Sequence, residues 1–131
     1  MTDPRTMLWQ ARKGPVPQDW RVFTKRRGKL SGFFHGTTDD PDPLLVITPA
    51  GSVEYISEAK PLAIVVFEDL TDVKLRVSTT DSSSFVSTWL DLRYDNGTKK
   101  RWTSSGFTNN LEALQAFLEA YGAHKAMRGH A

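Results

Sequence analysis

Two short runs concentrate positive charge in this chain. Lys25-Arg26-Arg27-Gly28-Lys29 places four cations in five residues, and Lys99-Lys100-Arg101-Trp102 sets three cations beside an indole. Such groups bind anions, and an aromatic ring among them adds either a stacking platform for single-stranded nucleic acid or a protein hot spot. Against an anionic bilayer each cation would add about 1 kcal/mol, so four give salt-sensitive adhesion rather than anchoring. The competing reading of the first run is a solvated helix end, where cations complement the helix dipole. The second run faces Trp89 and Arg93 across an expected hairpin, and strand alternation puts Lys99 and Arg101 on one face, Lys100 and Trp102 on the other. The competing reading there is structural: Trp89 and Trp102 lie covered by the N-terminal residues, which bring Trp9, Trp20 and Phe23.

Groups suited to catalysis are sparse. Asp39, Asp40 and Asp42 are close in sequence, but Pro41 and Pro43 interleave them and the glycine and distant glutamate of an EF-hand are missing. His35 has only Ser31 nearby as a nucleophile, and His124 and His130 belong to the C-terminal tail. Glu68 and Asp69 are adjacent in a turn and diverge more easily than they converge. The glycines follow neither a Walker nor a Gly-x-Gly-x-x-Gly spacing. We therefore expect no catalytic residues, no metal site and no cofactor.

The frame that must position the cations is one domain's worth of chain: 131 residues, 39% hydrophobic and 24% charged, enough for a real core. The absence of cysteine rules out disulfides and zinc–thiolate sites and suits a reducing, cytoplasmic setting. No apolar segment follows Met1-Thr2-Asp3-Pro4-Arg5 as a secretory signal would require, and the longest apolar run, Leu62–Phe67, is too short to span a bilayer. The net charge of +2 conceals a gradient: residues 1–30 carry +6, residues 31–95 carry −7 and residues 96–131 carry +3. The basic N-terminal part can attract polyanions or pack on its own acidic middle.

The element pattern runs strands first and a helix last. The first nineteen residues read as irregular, broken by Pro15 and Pro17. A helix is expected near Gln18–Arg27 and an extended stretch near Leu30–His35. Residues 37–43 read as a loop. Leu44–Thr48 and Ser52–Ser57 form a hairpin around Pro49-Ala50-Gly51. Ala63–Phe67 reads as a strand buried on both sides, and Val73, Leu75 and Val77 alternate as in a half-buried one. Residues 78–84 form a polar loop. Thr88–Tyr94 and Thr98–Thr103 pair around Asp95-Asn96-Gly97. Asn109 and Glu112 cap a helix with the apolar stripe Leu111, Leu114, Phe117, Leu118 and Tyr121, closed by Gly122.

This order resembles a pleckstrin-homology (PH)-like domain of the small bacterial type, over about residues 44–122. The resemblance rests on the Leu44–Ser57 hairpin, the Pro-Leu-Ala-Ile-Val-Val-Phe-Glu-Asp-Leu-Thr-Asp-Val stretch at 61–73, the Leu-Asp-Leu-Arg-Tyr-Asp-Asn-Gly-Thr hairpin at 90–98 and the final helix. It implies an α+β fold: an antiparallel barrel or sandwich of about seven strands, capped by the C-terminal helix. It implies a non-enzymatic binding or targeting module. The phosphoinositide pattern of basic residues around the first hairpin is missing, since Thr48-Pro49-Ala50-Gly51 holds none. The expected domain layout is a basic N-terminal arm over 1–30, packed on the domain or partly flexible, the PH-like domain over 31–122 and a C-terminal tail over 123–131.

The expected function is protein–protein interaction, through a strand edge or the aromatic–basic face. Acidic membrane headgroups and nucleic acid are the alternatives, and self-association through an open edge is a further possibility. The contact residues are Lys25, Arg26, Arg27, Lys29, Trp89, Arg93, Lys99, Lys100, Arg101 and Trp102.

Overall fold

Leu44-Leu45-Val46-Ile47-Thr48 has no polar face to offer water, and the protein covers it on both sides. The computed structural model describes residues 3–24, 42–79, 86–103 and 110–129. It is an α+β structure in which these residues form two antiparallel sheets, one of four strands and one of three, with an α-helix at each end of the chain.

The first helix, α1 (Pro4–Lys13), replaces the irregular start expected from the sequence. Asp3 caps it, its carboxylate accepting from the Thr6 amide at 3.2 Å and the Thr6 hydroxyl at 3.0 Å. Pro4 follows at the first helical position, where its missing N–H costs nothing. Pro15 and Pro17 lie beyond the last turn, so they end the helix without preventing it. Met7 and Leu8 bury against Leu44, Val46 and Val53, closing one face of the first sheet. Where they are described, residues 1–30 pack on the rest of the chain, supplying one layer and one strand.

That strand is β1 (Arg21–Thr24), where a helix was expected. It pairs with β2 (Leu44–Thr48), Val22 opposite Val46 and Phe23 opposite Leu45. Trp20 and Val22 face α1 while Phe23 faces the other core, a period of two that overrides the helical spacing. The expected stretch at Leu30–His35 and most of the 37–43 loop lie outside the described residues. β3 (Gly51–Tyr55) and β4 (Ala63–Val66) complete the sheet in chain order. β4 is an edge strand, and Ala63 and Ile64 are exposed, so the doubly buried strand expected there is buried only at Val65 and the following Phe67. Gly51 is required by crowding: a Cβ there would overlap the Val65 carbonyl oxygen.

A 3-10 turn, Phe67–Asp69, carries the chain to the second sheet: β5 (Leu70–Thr79), β6 (Val86–Tyr94) and β7 (Lys99–Trp102). Gly97 takes a positive φ of 89° in the β6–β7 turn, as its place after Asp95-Asn96 predicts. Leu75 and Val77 are 52% and 59% exposed, so β5 outruns the core that was expected to half-bury it. Among the described residues the two sheets do not close into a barrel. β4 pairs with β3 and β5 with β6, and the turn between them separates the sheets where a closed barrel would carry pairing across.

The second helix, α2 (Asn110–Gly129), packs against β2, β3 and β6. Leu114, Phe117 and Tyr121 are buried as their spacing predicts, together with Ala113 and Ala116; Leu111 is exposed at the first turn. The helix runs through Gly122 without stopping, so much of the expected tail is helical. Phe117 meets Trp102 at 4.5 Å between ring centroids and Phe67 at 5.2 Å, edge to face. Tyr121 adds a second edge contact on Phe67 at 5.7 Å. Each such pair contributes about 0.5–1.5 kcal/mol beyond its buried area.

Candidate functional site

The β5–β7 sheet has an inner and an outer face fixed by register. Leu90, Leu92, Tyr94, Lys100 and Trp102 share the inner one; Trp89, Asp91, Arg93, Lys99 and Arg101 share the outer one. From β5, Asp72, Lys74 and Arg76 join the outer face opposite Arg93, Asp91 and Trp89 respectively. Lys74, Arg76, Arg93, Lys99 and Arg101 thus stand on one face against Asp72 and Asp91. These seven side chains line a depression of about 330 Å³.

Asp91 organises the face. It accepts from Arg76 Nε at 2.9 Å and from Trp89 Nε1 at 3.0 Å. The Arg101 guanidinium lies 4.1 Å from the Trp89 ring centroid. The hydrogen bond from Arg76 does most to hold the Asp91 carboxyl below its usual range; the Trp89 bond and the Arg76 and Arg101 charges add to it, and desolvation opposes it. Asp72 lies 3.9 Å from the Lys74 ammonium, a loose and exposed pair, with Arg93 opposite it in register. Arg93 and Lys99 sit side by side across β6 and β7, exposed, and pair with no carboxylate among the described residues.

The site residues expected from the sequence divide three ways. Trp89, Arg93, Lys99 and Arg101 are brought together on the outer face. Trp102 is 6% exposed, packed on Phe117 in the core, and is no contact residue: its place opposite Leu90 turns it inward. Lys100 shares that side by register, its ammonium 5.6 Å from the Tyr94 ring centroid, yet it is exposed and also lines the depression with Arg93, Lys99 and Arg101. Lys25, Arg26, Arg27 and Lys29 lie outside the described residues, as do His35, Asp39 and Asp40. The alternation of β7 was legible in advance; the contributions of Lys74 and Arg76 were not, because their strand's partner could not be read from spacing alone.

One buried titratable group went unnoticed. Glu54 is 5% exposed on the face of β3 that looks toward the second sheet and α2, in a row with Phe23, Leu45 and Ala63. Burial pushes its carboxyl up to about 7. Among the described residues no three His, Asp or Glu side chains gather as metal ligands, and no helix is long and apolar enough to cross a membrane. Comparison with protein-family models, curated proteins and solved structures gave no match to this chain.

Proposed function

We propose that this chain is a non-enzymatic interaction module of PH-like architecture whose β5–β7 outer face docks an acidic protein surface. The observation that carries the reading is the pair Arg93 and Lys99, in no ion pair with a carboxylate among the described residues, on a face where Asp91 is bound by Arg76 and Asp72 lies nearest Lys74. The paired strands fix the backbone spacing of these two cations, though each exposed side chain still gives up rotamer freedom on binding. The two carboxylates confine the free positive charge to a small area, which suits a localised acidic segment better than the broad charge of an anionic bilayer. The Trp89 ring already carries Arg101 and its N–H is held by Asp91, which disfavours base stacking and so the nucleic-acid alternative. The same reading puts the chain in a reducing compartment such as the cytoplasm, which a cysteine-free sequence suits.

The test is a charge-reversal double variant, Arg93→Glu with Lys99→Glu, titrated with poly-L-glutamate and with vesicles containing anionic phospholipid. The expected result is a loss of polyglutamate affinity of at least about tenfold, with vesicle retention weak in both proteins at physiological salt. Equal affinity in the two proteins, or retention on vesicles that only the variant loses, overturns the reading.

A further inference from the structure

A second site lies on the opposite side of the molecule, where α1 crosses the end of the first sheet. Arg5, Leu8, Trp9 and Arg12 recur at the spacing of one helix face and form one wall of a groove of about 500 Å³. Tyr55, at the end of β3, and Ser57, Glu58, Lys60, Pro61 and Leu62, leading into β4, form the other. The floor is apolar. Trp9 is 62% exposed, a large indole left to water beside Leu8, which is 7% exposed.

The rim carries the specificity. Arg5 and Arg12 stand about 10 Å apart along the helix axis, at 1.5 Å per residue. Arg12 is fixed in place: its guanidinium lies 5.4 Å from the Tyr55 ring centroid and donates to the Asp42 carbonyl oxygen at 2.7 Å. Lys60 adds a third cation from the opposite wall, and Glu58 is the one carboxylate among the described lining residues. An apolar trough between two arginines is complementary to an aromatic side chain flanked by carboxylates. Three residues of extended chain cover roughly the same 10 Å, so the flanking acids fall at a spacing of about three.

We propose that this groove binds a short acidic peptide segment of a partner protein, with an aromatic anchor against Trp9, Leu8 and Leu62 and carboxylates directed to Arg5 and Arg12. The site is separate from the β5–β7 face and does not depend on it. Such an anchor in a partly enclosed apolar pocket is the usual seat of interface energy, with the charges setting orientation.

The experiment titrates the full chain with the blocked peptide Ser-Glu-Ser-Phe-Glu-Ser, followed by calorimetry and by amide shifts in ¹⁵N-labelled protein. The expected shifts cluster at residues 5–12 and 55–62. Replacing the peptide phenylalanine by serine, or introducing Trp9→Ala or Arg5→Glu in the protein, should each weaken binding at least about tenfold. Trp9 and Arg5 are exposed, so these variants keep the fold; unchanged far-ultraviolet circular dichroism checks it. The Arg93→Glu, Lys99→Glu double variant should bind the peptide as the parent does, which separates this proposal from the one above. No binding up to millimolar peptide, equal binding of the serine-substituted peptide, or shifts centred on β5–β7 overturns it.

Discussion

Glu54 is a carboxylic acid in a place built for a hydrocarbon. Its folded-state pKa, about 7, lies above its ordinary value of 4.5, so between those pH values the folded chain holds a proton that the unfolded chain has released. Stability is then undiminished by this group below about pH 4.5 and falls as pH rises through 7, by up to about 3 kcal/mol once Glu54 is ionised. Urea denaturation between pH 5 and 8 should show that decline, and Glu54→Gln should remove it and be the more stable protein at pH 8. A flat profile in the parent would show that the acid is not desolvated. The residue was not legible because alternation marks Val53 and Tyr55 as buried without saying whether the opposite face meets water. Both faces of β3 are covered, so Ser52 and Glu54 are buried too.

Among elements, α2 is the one whose place the sequence states most fully. Leu114, Phe117, Leu118 and Tyr121 form a stripe of period 3.6, and the stripe is what docks. α1 was missed for a physical reason: it buries only Met7 and Leu8, and the prolines after it dominate the reading. Asp3 followed by Pro4 was the available signal. β1 was missed because Trp20, Phe23 and Leu30 fit a helix by spacing, while the open edge of β2 made a strand the better use of Val22 and Phe23. Trp102 shows how an element's neighbour decides a residue's role. Trp102→Ala should cost about 3–5 kcal/mol in urea denaturation, since it empties the contact with Phe117. Trp89→Ala, at a half-buried position, should cost less. Equal losses would place both indoles in the core.

At the scale of the molecule the layers run α1, first sheet, shared core with α2, second sheet. The expected α+β class and helix-last order are present, while closure of the strands is not, because pairing depends on where the Phe67–Asp69 turn sends the chain, which residue patterns do not specify. The cationic face was half legible: β6 and β7 supplied it through the Asp95-Asn96-Gly97 turn, and β5 joined it through tertiary register. Removing residues 1–13 should uncover Leu44, Val46 and Val53 together. A single such side chain is worth roughly 1.5–3 kcal/mol when buried, so the truncated protein should bind 1-anilinonaphthalene-8-sulfonate and lose its cooperative thermal transition. Retention of both solubility and a sharp transition would show α1 to be dispensable.

The strand order bears on how quickly this chain finds its shape. Among the described residues each strand hydrogen-bonds only to strands adjacent in sequence, β1 through β4 and then β5 through β7. The β2–β3, β3–β4, β5–β6 and β6–β7 ladders join strands a few residues apart, with little entropy spent on closing loops, while β1 must close on β2 across residues 25–43. The distant meetings are left to the two ends of the polypeptide, α1 reaching β2 and β3, and α2 reaching back to the same strands. The contacts of α2 with β2 and β3, among the farthest apart in sequence, are thus the ones whose loop-closure cost weighs most on the folding rate.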